Sequence, residues 1–157
     1  LRFPGPDLKL VGEGGSQVTL TDTGGGALER IAPFFGRTYD ETMSLLLSAR
    51  HYVANVQPGE PFQADPDERL HMNCEAMRLT TRLAQVMAWL LAQKAVAAGE
   101  LTRDEVRGER FRLGAHDLCL VDTDARVART SQKLGDLMGQ SRRLFERVAR
   151  LDSQLGT

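Results

Sequence analysis

Aromatic side chains are scarce, at 6% of 157 residues, and the best-patterned stretches carry Leu, Ala, Met, Glu and Arg rather than Val, Ile and Tyr. Strands collect β-branched and aromatic residues, so this shortage argues against a sheet and for an all-α chain. Cysteine is limited to Cys74 and Cys119, which form no short-spaced pair. That excludes a disulfide framework, and both are read as reduced thiols of a cytoplasmic protein. No run of about 18 apolar residues occurs, and the N-terminus lacks the charged start and apolar centre of a signal peptide. The expectation is a chain that neither spans a membrane nor is secreted. Charge of one sign is also missing, since 20 Lys and Arg stand against 21 Asp and Glu for a formal net charge of -1. No global field draws such a chain to nucleic acid or to an acidic membrane, so any such binding needs a local patch. The chain begins with Leu1 rather than Met, as a processed, trimmed or alternatively initiated product would.

What the chain does have is helical periodicity. Between Asp67 and Gly99 two apolar rows run side by side. Leu70, Cys74, Met77, Thr81, Ala84, Ala88, Leu91, Ala95 and Ala98 step by threes and fours, and Ala76, Leu79, Leu83, Val86, Leu90 and Ala97 form the second row. Two adjacent stripes predict a central helix packed on more than one side. Pro66 and Gly99 mark its ends, the glycine where a left-handed cap is commonly needed. The first helix is predicted over Ala27 to Val56, with a bend or a late start at Pro33. Gln57 to Pro66 holds three prolines and a glycine and reads as a turn whose brevity favours antiparallel neighbours.

Thr102 to Glu105 fits a capping box and predicts a short helix over about Arg103 to Arg110. Leu113 to Val121 is apolar but too short for periodicity to decide between a helix entry and an extended connector. From Asp122 or Asp124 a last helix is predicted, with Val127, Thr130, Leu134, Leu137, Ser141, Leu144, Val148, Leu151 and Leu155 on one face. Gly135 and Gly139 weaken that helix unless a neighbouring backbone needs the space. The predicted architecture is an antiparallel three-helix bundle over residues 27–157, with a short extra helix between its second and third helices. Residues 1–26, rich in Gly and Pro, read as a flexible arm. Surplus apolar residues such as Phe34, Leu45 and Trp89 leave room for a helical homodimer.

Few residues point to chemistry. His51, His71 and His116 fall on separate elements, and His71 with Cys74 supplies two ligands where a closed zinc site needs four. Cys119 with His116 lacks an orienting group or an oxyanion motif. No catalytic residue, cofactor or metal is assigned. The strongest charge pattern is basic: Arg126, Arg129, Lys133, Arg143, Arg147 and Arg150 share a broad face of the last helix, and Arg103, Arg107, Arg110 and Arg112 add charge before it. Such a face suits an acidic protein partner or phosphates, or it is simply a solvated surface. No recognition-helix turn, zinc finger or stacking aromatics accompany it, so a nucleic-acid-associated protein is the alternative rather than the first reading. Trp89 is either a core anchor or an interface anchor.

The run Met77-Arg78-Leu79-Thr80-Thr81-Arg82-Leu83, then Val86, Trp89-Leu90-Leu91, Gln93-Lys94-Ala95-Val96 and Gly99-Glu100-Leu101-Thr102, resembles the RcdA family of bacterial cell-cycle proteins. The resemblance covers roughly residues 30 to 112, more loosely over Phe34 to Tyr52. It implies a dimerising three-helix bundle that is a non-enzymatic adaptor for the ClpXP protease. Such an adaptor joins a protease primed by the response regulator CpdR and brings substrates such as CtrA, or the cyclic-di-GMP receptor PopA, to it. No catalytic residue transfers. Partner contacts are expected from chemistry and assumed exposure at Arg78, Arg82 and Trp89, together with Arg126, Arg129, Lys133, Arg143 and Arg147.

Overall fold

The computed structural model describes the backbone of residues 25–156 and the side chains of residues 33–156. Among them every regular element is helical, and no strand occurs. The α-helices are α1 (Gly25–His51), α2 (Pro66–Ala97), α3 (Arg103–Arg107), α4 (His116–Cys119), α5 (Ala125–Thr130) and α6 (Gln132–Leu155). The three long helices α1, α2 and α6 each pack against the other two. The arm expected over residues 1–26 lies, through residue 24, outside the described residues, and Gly25 opens α1. α1 therefore starts well before Pro33 rather than at it.

The boundaries follow local chemistry. α1 ends in one π-helical turn, Tyr52–Val56, and two 3-10 turns that start at Gln57 and Pro61. Asp65 then caps α2, its Oδ1 accepting from the amides of Asp67 at 2.9 Å and Glu68 at 3.2 Å. Pro66 occupies the first helical position, where its missing N–H costs nothing. Gly99 closes α2 with φ +74°, a conformation that an L side chain adopts at a cost. The capping box at α3 forms in both directions, with Thr102 N–H donating to Glu105 Oε2 at 2.7 Å and Glu105 N–H to Thr102 Oγ1 at 3.3 Å.

Two expectations need correction. The single short helix between the second and third long helices is in fact three short helices, α3, α4 and α5, and the last long helix starts at Gln132. The break falls at Ser131, whose extended backbone (φ -143°, ψ 103°) ends α5 while its Oγ caps α6 through Leu134 N–H. The same hydroxyl donates to Glu60 Oε1 at 2.7 Å and accepts from Tyr52 O–H at 3.3 Å, so two distant segments fix the break. α5 and α6 then meet so closely that a Cβ on Gly135 would stand 2.9 Å from Ala128 Cα. That close approach explains the glycine.

The second correction concerns which face of α2 is inside. The core takes Leu79, Leu83, Val86 and Leu90 from the second row and Trp89 from beside it, against Leu134, Met138, Leu144, Phe145 and Val148 of α6 and Tyr52 and Phe62 from the first turn region. The first row faces outward: Leu70 is 66% and Met77 70% exposed, and Cys74, Ala84, Ala88 and Leu91 are exposed with them. The bulkier row wins the interior because it removes more apolar area from water per turn.

Candidate partner-binding surfaces

Trp89 and Arg82, expected at a partner surface, are both buried in the fold. Trp89 Nε1–H donates to Asp152 Oδ1 at 2.8 Å, and its ring lies 5.8 Å from that of Phe35. Asp152 also accepts from Arg112 Nε, at 2.9 and 3.1 Å to its two oxygens, so one buried carboxylate ties α2, α6 and the segment after α3 together. Trp89 is therefore a core anchor, and the tie leaves neither its ring nor its N–H for a partner.

Arg82 is a second tie of a less common kind. Nε–H donates to Cys119 O at 2.6 Å, Nη2 to Val121 O at 3.1 Å and Nη1 to Met138 O at 3.2 Å. No carboxylate pairs with it among the described residues, so three backbone carbonyls solvate a buried cation. Burial pushes its guanidinium below the usual arginine value, with the Cys119 side opposing. Arg78 is mostly covered as well, its Nη1 holding both oxygens of Glu75 at 2.9 Å. All three α2 residues thus act within the fold, because a long side chain on the inward half of a central helix finds carbonyls and carboxylates before it finds water.

The basic face survives in part. Arg126, Arg129, Lys133 and Arg143 are exposed. Arg126 pairs with Asp124 at 2.8 Å, and Arg147 pairs with Glu41 of α1, so both spend charge inside the molecule. The Asp124 carboxyl is held down at about 2, first by the Arg126 side chain and then by the Arg126 N–H that it caps. Arg129, Lys133, Arg143 and Arg150 make no ion pair among the described residues, so the free cations are fewer than the helical spacing implies.

Other polar groups are similarly placed. Cys119 is buried, and burial raises its thiol above the ordinary value, with Arg82 opposing. His116 Nε2 sits 2.8 Å from Leu113 O, with the ring edge-on to Phe145. His71 faces Asp124 at 3.7 Å. No three His, Cys, Asp or Glu side chains gather in a metal-ligand cluster among the described residues. No helix among them is long and apolar enough to cross a membrane.

Two open apolar features went unread in the sequence. The outward row of α2 carries no charge from Leu70 to Leu91, and beside it an open groove of about 610 Å³ is lined by Val53, Gln57, Asn73, Met77, Thr81 and Ala84. Alanines at 84 and 88 let another backbone come close there. The charge-free spacing is visible in the sequence, but spacing alone does not say whether the row faces the core or solvent. The other feature is the α4 segment, where Leu118, Leu120 and Val121 face solvent.

These features define an all-helical domain that ties its buried polar groups into packing and leaves apolar and cationic side chains on open faces. The chain belongs to an RcdA-like family, the one described as "Protein of unknown function (DUF1465)", which it matches over residues 30–157. The structure of RcdA from Caulobacter crescentus CB15 is similar to it with a TM-score of 0.61 and 32% identity, over 77% of this chain and 89% of that one. No curated protein matches the chain. The family resemblance carried by Met77 through Thr102 is thus shown.

Proposed function

We propose that this chain is a non-enzymatic adaptor of regulated proteolysis, working in the bacterial cytoplasm to hold substrate proteins beside the ClpXP protease. The observation that carries the reading is the likeness to RcdA at 32% identity over most of both chains. On this reading the three long helices form an antiparallel bundle, and two copies pair through the charge-free face of α2. The CpdR-like response regulator primes the protease, and CtrA-like substrates or a PopA-like cyclic-di-GMP receptor are the cargo. Binding cargo next to the protease replaces a bimolecular encounter with one at a high effective concentration. Apolar contact supplies affinity, and the free cations Arg129, Lys133 and Arg143 steer acidic partners.

The nucleic-acid alternative is not favoured, because Arg126 and Arg147 of the basic face already hold carboxylates of this chain. The test is reconstituted degradation of a CtrA-like substrate by ClpXP and the response regulator, with the chain titrated in. Tethering predicts a rate that rises and then falls as excess adaptor holds protease and cargo on separate molecules. A flat response overturns the reading.

A further inference from the structure

The geometry points to residues 116–122 as a preorganised docking clip, whose Leu118, Leu120 and Val121 seat in an apolar cleft rimmed by Lys or Arg on a partner protein. This rests on the adaptor reading and names where one partner of that machinery is held.

A four-residue helix has no stability of its own, since one turn does not repay nucleation. Yet the segment that carries α4 is fastened at both of its ends. Gly114 N–H donates to Gln85 Oε1 at 3.2 Å, and Arg82 holds the carbonyls of Cys119 and Val121. Arg142 Nη1 reaches Asp122 at 2.5 Å. Ala115, at the entrance, is held at φ 57°, a left-handed conformation that is unfavourable for a residue with a Cβ. A buried guanidinium without a counter-ion and a strained alanine are both unfavourable by themselves.

The core gains little from these costs. Of the segment's side chains Cys119 is buried and the His116 ring touches Phe145, while Leu118 is 45%, Leu120 36% and Val121 45% exposed. A segment fixed so firmly with its apolar side chains outward is held for presentation.

The charge on the clip indicates the partner. Residues 116–122 contain Asp117 and Asp122 and no Lys or Arg, while Asp124 just beyond them is matched by Arg126. Although Asp122 pairs with Arg142, its side chain is 94% exposed against 28% for the arginine, so the face that a partner meets is acidic. A cationic rim around an apolar cleft complements that arrangement.

The test uses the full chain and measures its affinity for purified ClpX and, separately, for purified CpdR-like response regulator. The variants are Leu118→Ser with Leu120→Ser, Asp117→Lys, and Leu47→Ser on α1 as a control. The clip predicts that the serine pair weakens binding to one of the two about tenfold or more. Asp117→Lys should weaken the same binding, most at low salt, while Leu47→Ser leaves it unchanged. Melting temperatures close to the parent's establish that the changes stay on the surface. Unchanged affinities in the serine pair, or a parent that binds neither protein, overturn the clip. Stimulated degradation with unchanged affinities overturns the clip alone. Weakened binding without stimulated degradation by the parent overturns the adaptor reading alone.

Discussion

Replacing Arg82 by methionine is expected to destabilise the protein by about 2–4 kcal/mol, with the loss concentrated in the segment around α4. The guanidinium makes three hydrogen bonds to carbonyls, those of Cys119, Val121 and Met138. Bonds from a charged donor contribute about 1.5–3 kcal/mol each, or about 4–9 kcal/mol in gross terms. Against that stands the desolvation of a buried cation, several kcal/mol that the methionine variant no longer bears. Methionine refills most of the apolar stem, so the cavity contribution is small. The Cys119 and Val121 carbonyls can turn to water only if the clip opens, which is where the damage should show.

Urea unfolding gives the global loss as a lower midpoint at unchanged slope. Amide hydrogen exchange gives the local one, at Cys119 N–H, which donates to Ala115 O at 2.8 Å, and Leu120 N–H, which donates to His116 O at 2.9 Å. A loss of about 2–4 kcal/mol corresponds to roughly 30- to 1000-fold faster exchange through local opening. Arg82→Lys is the sharper comparison. It keeps the cost of burying a cation but loses the planar fork that spans three acceptors, so it should fall at least as far as methionine. A methionine variant within about 0.5 kcal/mol of the parent, with exchange at Cys119 and Leu120 unchanged, would show that the arginine is packing alone.

Two glycines of α6 should respond oppositely to alanine. Gly135→Ala drives a Cβ to 2.9 Å from Ala128 Cα and should cost about 1–3 kcal/mol, whereas at Gly139 a Cβ meets only the end of Arg143 at 3.5 Å and should stabilise by up to about 1 kcal/mol. Thermal melts of the two variants decide, and equal shifts would contradict the α5–α6 contact. The Asp124 carboxyl should titrate near 2 by carbon-detected NMR. Because its folded value lies below the ordinary 3.8, its contribution to stability is present above about 4 and fades as pH falls through about 2. Arg126→Ala should raise that midpoint without fully restoring it, since the backbone N–H of residue 126 remains a donor at 2.8 Å. A midpoint near 4 in the parent would contradict the cap geometry.

What the sequence reveals and what it hides divide along one physical line. Helix ends are set by groups within a few residues, so Asp65, Gly99 and the Thr102–Glu105 box are legible as they stand. The inward side of α2 is less so, because both of its rows have helical spacing. Only bulk separates Leu79, Leu83 and Leu90 from Thr81, Ala84 and Ala88, and periodicity does not weigh bulk. The break at Ser131 is invisible for a related reason: Val127 and Leu134 are buried on either side of it, so the apolar spacing runs on while the backbone stops.

Arg82, Trp89 and the α4 segment mark where local reading fails altogether. The hydrogen-bond partners of Arg82 and Trp89 lie 37 to 63 residues away, and an arginine with no nearby carboxylate looks like any surface arginine until the carbonyls that hold it are brought in by the fold. The same absence of a local signal made Arg82 a candidate contact residue and left Leu113 to Val121 undecided. Both follow from one tie. A cation placed among backbone carbonyls is hidden from a partner, yet it fixes a short segment whose leucines are not hidden. If the clip binds as proposed, the role in recognition expected of Arg82 belongs instead to the side chains that Arg82 holds in place.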